Sequence, residues 1–231
     1  MPDGSRYAML TSMDTVTAPR HAPTSETSVV MPRLPAIGIA LGGALLIGVL
    51  TSVGQAAEPV LATMANSAGP WFVAAAALLL LPRMRLGWAM LLGVVLLELM
   101  HVGYWAATNL RGYPDSLSPT SFWVVMGVPA GLLAGAVATL VRGSTGRHPD
   151  RWRGAAIGVT AAILAGEGMR ALLEVAATTS VTFWIVEIAA AVVLAGIGVA
   201  VARTPVGRIT TLGTTLVGSA AVLGAFLTLA G

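Results

Sequence analysis

Apolar side chains run almost without interruption over 34–54, 60–82, 86–107, 120–141, 154–176, 181–202 and 209–230, with short polar segments between them. Each run matches the roughly 20 residues an α-helix needs to cross a hydrocarbon core about 30 Å thick. The pattern predicts an all-α fold, a polytopic transmembrane helical bundle of about seven spans. Residues 1–33 carry Thr, Ser, Pro and Met with no period and read as a disordered tail. Residues 34–231 then form a single transmembrane helical domain. The connections are about a dozen residues or fewer, so any chemistry has to occur within the helices or at their mouths.

Composition agrees with the pattern. Of 231 residues, 56% are hydrophobic and only 10% charged, with a mean hydropathy of +0.83. A soluble domain of this length would need more charge to cover its surface. Cysteine is absent, which removes disulfides, thiol nucleophiles and Cys-based metal sites.

Charge sets the orientation. All 13 basic residues are Arg. Threading seven spans puts Arg6, Arg20, Arg33, Arg83, Arg85, Arg142, Arg147, Arg151, Arg153, Arg203 and Arg208 on one side. Arg111 alone lies on the other, and Arg170 falls inside a span. Basic loops mark the cytoplasmic face, which predicts a cytoplasmic N-terminus, an external C-terminus and a bacterial plasma-membrane location. The pI near 10.2 is then a cytoplasmic rim in contact with lipid, and no nucleic-acid partner is expected. Trp88 and Trp152 fall at the inner boundary and Trp105, Trp123 and Trp184 near the outer one, as an aromatic belt requires. A start at Met31 would instead make the first run resemble a signal peptide with a small-x-small site near Gly54, although the apolar core is long for that role.

The polar residues inside the spans carry the functional signal. In "LAGEGMRALLE", Glu167, Arg170 and Glu174 project onto about 60° of helical arc at 100° per residue. Each such charge costs roughly 2.5–3.5 kcal/mol at a span centre, so this face must turn inward and be paired or wet. Arg170 is expected to reach both glutamates. "LLELMHVGYWAATN" places Glu98, His101, Trp105 and Asn109 on one face of the third span, and Glu187 is expected to stand near Glu174 across the turn at 177–180. Asn66, Ser67, Pro70 and Trp71 lie at comparable depth in the second span; Pro70 removes a backbone donor there. Thr51, Ser52 and Gln55 close the first span at the same level.

These groups concentrate in one half of the membrane, the outer half by the arginine count. They predict an outward-facing pocket that binds or transports a small polar or cationic solute, lined by Glu98, His101, Glu167, Arg170, Glu174, Glu187, Asn66, Trp71 and Trp105. The alternative is a structural or assembly protein whose buried charges only hold helices together. Glu98 and His101 form an E-x-x-H, half of a di-iron carboxylate motif, but no second intramembrane pair completes it. No G-x-S-x-G, Walker loop or dinucleotide fingerprint occurs. No catalytic residue, metal or cofactor is therefore expected. Ala36, Ala40 and Ala44 recur every fourth residue of the first span, a stripe for close helix packing, within the chain or against a partner.

Several segments also carry a resemblance: "GVLTSVGQ" (48–55), "ANSAGPW" (65–71), "GYW" (103–105), "FWVVMGVPAGLLAG" (122–135), "WRGAAIG" (152–158) and "AGEG" (165–168). Over roughly 34–175 the chain resembles a family of actinobacterial multi-pass membrane proteins catalogued as a domain of unknown function. The resemblance implies location and kinship and no activity; the sequence after about 180 adds nothing to it. A looser similarity is to the substrate-binding S components of energy-coupling-factor importers. Those hold ligand in the outer half and present an alanine stripe to a partner, but they have six spans rather than seven.

Overall fold

The computed structural model describes residues 33–143 and 148–229. They form eight helices and, among the described residues, no strand: α1 Arg33–Gly54, α2 Pro59–Ala65, α3 Ala68–Leu79, α4 Leu86–Leu110, α5 Phe122–Val141, α6 Pro149–Glu174, α7 Val181–Val201 and α8 Pro205–Leu229. Six of these are long and apolar enough to cross a membrane, which is compatible with an integral membrane protein. The short pair α2 and α3 passes the same test only jointly and is bent by 61° at its break, the shape of a broken span or a re-entrant loop. The tail expected over 1–32 and the segment 144–147 lie outside the described residues.

Several helices begin earlier or end later than hydropathy alone marks. α2, α6 and α8 all start on proline, whose missing N–H costs nothing at a first turn. α6 begins five residues before the apolar run at 154, with Asp150 in its first turn. That carboxylate accepts the Arg203 and Thr204 N–H groups at 3.1 and 2.8 Å, tying the α6 start to the α7–α8 connection. Ser121 and Ser180 cap α5 and α7 by accepting the Val124 and Phe183 amides. α5 runs through Pro129 as one helix.

Glycine lets the backbones touch. A Cβ at Gly93 would lie 2.1 Å from the Gly131 carbonyl oxygen, and one at Gly48 would lie 2.1 Å from that of Met100. α4 is thereby clasped between α1 and α5, while α6 is packed between α7 and α8. Ala40, Ala44, Leu79, Leu96, Met100 and Ala134 share one core cluster. Ala36, Ala40 and Ala44 are each 0% exposed. The chain's own helices cover this stripe, the first of the two packing roles open to it.

Arg142 and Arg153 meet helix ends on one side of the bundle. Arg142 donates to the last carbonyl of α3, Leu79, at 2.9 Å, and Arg153 donates to that of α5, Val141, at 3.0 Å. Arg111 lies at the opposite end, donating to the Ser52 carbonyl and hydroxyl.

Candidate functional site

The break between α2 and α3 organises the polar half of the bundle. Pro70 has no N–H to return to the Asn66 carbonyl, and the helix parts at Asn66 and Ser67. Ser67 sits at the N-cap of α3 in extended conformation but provides no side-chain cap. The Glu167 carboxylate, from α6, takes that role: Ala68 N–H donates to Oε1 at 2.7 Å and Gly69 N–H to Oε2 at 2.5 Å. An anion on the positive end of a helix is favourable, and here it also satisfies amides that hydrocarbon would leave unpaired. Glu187, from α7, reaches the same place; its Oε1 accepts the Ser67 hydroxyl at 3.2 Å, while its Oε2 is buried without a partner. Gly69 leaves the room, since a Cβ there would lie 2.3 Å from Glu187 Oε1 and 3.1 Å from Glu167 Oε2.

This arrangement differs from the expected charge stripe on α6. Arg170 does not bridge two glutamates: it donates to Glu174 at 2.5 Å, and its guanidinium lies 5.3 Å from the Phe226 ring centre. Glu174 is the last residue of α6 and is exposed. Glu187 meets Ser67 and the Glu167 carboxylate, not Glu174. Seven residues, about 10 Å along the helix axis, separate Glu167 from Glu174, so the two glutamates serve different levels.

A cavity of about 410 Å³ opens beside α3, walled chiefly by α1, α3, α4, α5 and α8, with Ile163 of α6 between the last two. One wall is polar. Tyr104 O–H donates to Gln55 Oε1 at 2.8 Å, Gln55 Nε2 to Asn66 Oδ1 at 2.5 Å, and Asn66 Nδ2 to the Ala62 carbonyl at 2.8 Å. His101 completes this wall with its ring 5.0 Å from that of Trp71. Behind it, Glu98 Oε2 lies 3.4 Å from His101 Nδ1. Glu98 Oε1 and His101 Nδ1 are both buried with no hydrogen-bond partner. Gly127 on α5 makes space for this pair: a Cβ there would lie 2.4 Å from Glu98 Oε1. The remaining walls are mostly apolar, with the aromatic rings of Phe72, Phe122, Trp123 and Phe226 among aliphatic side chains.

Of the nine residues singled out from sequence, Asn66, Trp71 and His101 line the cavity, with Glu98 directly behind. Glu167 and Glu187 gather at the α3 start, Arg170 and Glu174 pair near the bundle's edge, and Trp105 turns away to donate to the Asp115 carbonyl at 3.0 Å. The cavity also recruits Tyr104, Phe122, Trp123 and Phe226. Tyr104 was findable, being three residues from His101 and so on its face of α4. Phe226 had no such marker. Among the described residues no group of three His, Cys, Asp or Glu side chains is placed to hold a metal ion.

An all-helical chain with six membrane-length apolar helices and a polar-walled internal cavity belongs to the broad class of membrane-type bundles. The chain belongs to a family of unknown function (DUF6518), whose model matches residues 27–231. The match continues through α7 and α8, beyond the part that carried the resemblance. No curated protein and no solved structure matches the chain.

Proposed function

We propose that the protein is a seven-span membrane protein that binds a small organic solute in the α1–α3–α4–α5–α8 cavity, and that it acts as a binder or carrier rather than an enzyme. The solute has an apolar body and a cationic or hydrogen-bond-donating head. The observation that carries this reading is the Glu98–His101 couple, with Glu98 Oε1 buried and without a partner, beside an otherwise apolar cavity. Native interiors pair their buried polar atoms, and a small-molecule site combines apolar walls with a few convergent polar groups in roughly 300–1,000 Å³.

The sign of the head follows from the surroundings. Glu98 stands behind the His101 wall, and Arg170, beside the cavity-lining Phe226, is held by Glu174. With Nδ1 facing a carboxylate, a neutral His101 carries its proton there, which leaves Nε2 as an acceptor. The arginines at the opposite end from Gln55 support a cytoplasmic end there, so the cavity is assigned to the outer half of the membrane.

The competing reading, buried charge as interhelical glue, accounts for Glu167 but leaves Glu98 Oε1 without a role. Ligand-induced thermal stabilisation of detergent-purified protein, screened against alkylamines and quaternary ammonium ions, separates the two. Uptake of the hits into proteoliposomes adds the transport question. Stabilisation that weakens in Glu98→Gln and in His101→Ala supports the site; hits that stabilise both variants as well as the parent leave the structural reading alone.

A further inference from the structure

Two helices that wall the cavity do not close it. α5 packs on α3, α4 and α6, and α8 packs on α6 and α7, while no substantial interface joins α5 to α8 among the described residues. Phe122, Met126, Pro129 and Leu133 line the cavity from one face of α5, and Val222 and Phe226 line it from α8. Leu133 is eleven positions below Phe122, so the slot runs roughly 16 Å along the helix at 1.5 Å per residue. Phe122, Trp123 and Leu133 are exposed at its lip, where a bilayer would present hydrocarbon.

Polarity changes along the same axis. Gln55, Asn66, Tyr104 and His101 lie toward the end of the bundle where α5 begins, and the Leu133 end has no polar side chain from α5 or α8. A leaflet has the same gradient, with head groups at one level and chains running toward the midplane. We infer that the occupant is a single-chain amphiphile with an amino head, admitted sideways from the leaflet between α5 and α8. This rests on the binding reading above and gives it a substrate class and a route. A volume of about 410 Å³ lies near the small end of the range of ligand pockets, roughly 300–1,000 Å³, which suits one chain rather than two. The head donates to the His101 and Asn66 acceptors in the field of Glu98, and the chain lies between Met126, Pro129 and Val222. An amphiphile in this position keeps the orientation it has in the membrane, so entry needs no flip and no exposure of the chain to water.

Tryptophan quenching tests the route and the class together. A variant keeping Trp71 and carrying Phe at the other five of the six tryptophans is reconstituted in phosphatidylcholine vesicles. It is titrated with a mid-chain-brominated alkylamine, with the matching brominated fatty acid, and with iodide from the aqueous phase. The amine is expected to quench Trp71 at about tenfold lower concentration than the acid, the value of one charge-assisted hydrogen bond. Filling the slot by Ala130→Phe, or by Ala225→Phe from the facing wall should the first not fold, is expected to abolish that quenching. Equal quenching by the acid overturns the amino-head assignment, and quenching indifferent to both slot-filling variants overturns the lateral route. Quenching by iodide alone overturns the amphiphile while leaving a water-open solute pocket standing. Silence from all three probes overturns the cavity reading as well.

Discussion

Glu167 and Glu98 are two glutamates at similar depth in two different helices, and the fold treats them in opposite ways. Glu167 has both carboxylate oxygens engaged, one amide to each, at the start of α3. Glu98 is half-buried, its side chain 30% exposed, with Oε2 near His101 and Oε1 buried without a partner. A carboxylate whose oxygens are both bonded is part of the frame, as Glu167 is. Glu187 shares that site with one oxygen bonded to Ser67 and the other without a partner, whereas Glu98 stands at the cavity wall with Oε1 free of any hydrogen bond. Charge in an apolar helix therefore marks importance without saying which kind; satisfied atoms together with the neighbouring cavity make the distinction.

Substitutions at each end of this contrast should separate stability from binding. The largest effect is expected from Glu167→Ala, which strands two buried amides at the α3 start and should cost on the order of 3–5 kcal/mol. Denaturation in mixed detergent would read this as a large loss of folded fraction, while Glu167→Gln, keeping one acceptor, should lose less. Full retention of stability in Glu167→Ala would show that the cap is dispensable.

Gly69→Ala comes next. Its Cβ would press on the Glu187 and Glu167 carboxylates and on Leu164, an overpacking cost of about 1–3 kcal/mol, measurable as a lowered Tm. Gly127→Ala makes a similar clash, but with Glu98 Oε1 at 2.4 Å, a group free to swing. Its Tm should fall less than that of Gly69→Ala, while binding to the cavity weakens.

Glu98→Gln reverses the Glu167 result. With no protein partner to lose at Oε1, unfolding stability should change by less than about 1 kcal/mol. Affinity for an amine should nevertheless drop about tenfold, read by thermal shift. A stability loss matching that of Glu167→Ala would erase the difference between the two sites. The smallest effect belongs to Arg170→Gln. Its partner Glu174 is exposed at a helix end, and pairs of that kind contribute roughly 0–1 kcal/mol.

Much of the frame was legible before any coordinates. Apolar runs of membrane length located the helices, and the proline in "NSAGPW" marked the second run as irregular, because a missing N–H is a local property. His101 and Asn66 announced themselves as polar groups in an apolar context. The partners were another matter. Arg170 has Glu167 at i−3 and Glu174 at i+4, and helical spacing alone allows either; the amides of α3, nearly a hundred residues away in sequence, claim Glu167. Trp105 shares a helical face with His101 yet bonds the Asp115 loop carbonyl instead, since a face says where a side chain starts and not which neighbour it finds.

Sequence by itself determined the all-helical class, the membrane-length segments, the crowding of arginines at one end and the residues whose burial needs explaining. Each of these follows from transfer free energy and helix periodicity, which act within one segment. Only the tertiary structure decided that Glu167 caps a broken helix, that Ala36, Ala40 and Ala44 are consumed by internal packing, and that Glu98 Oε1 is left without a bond beside an apolar cavity. Those outcomes depend on which segments approach within hydrogen-bonding distance, and short-range bonds between distant parts of a chain leave no periodic trace along it.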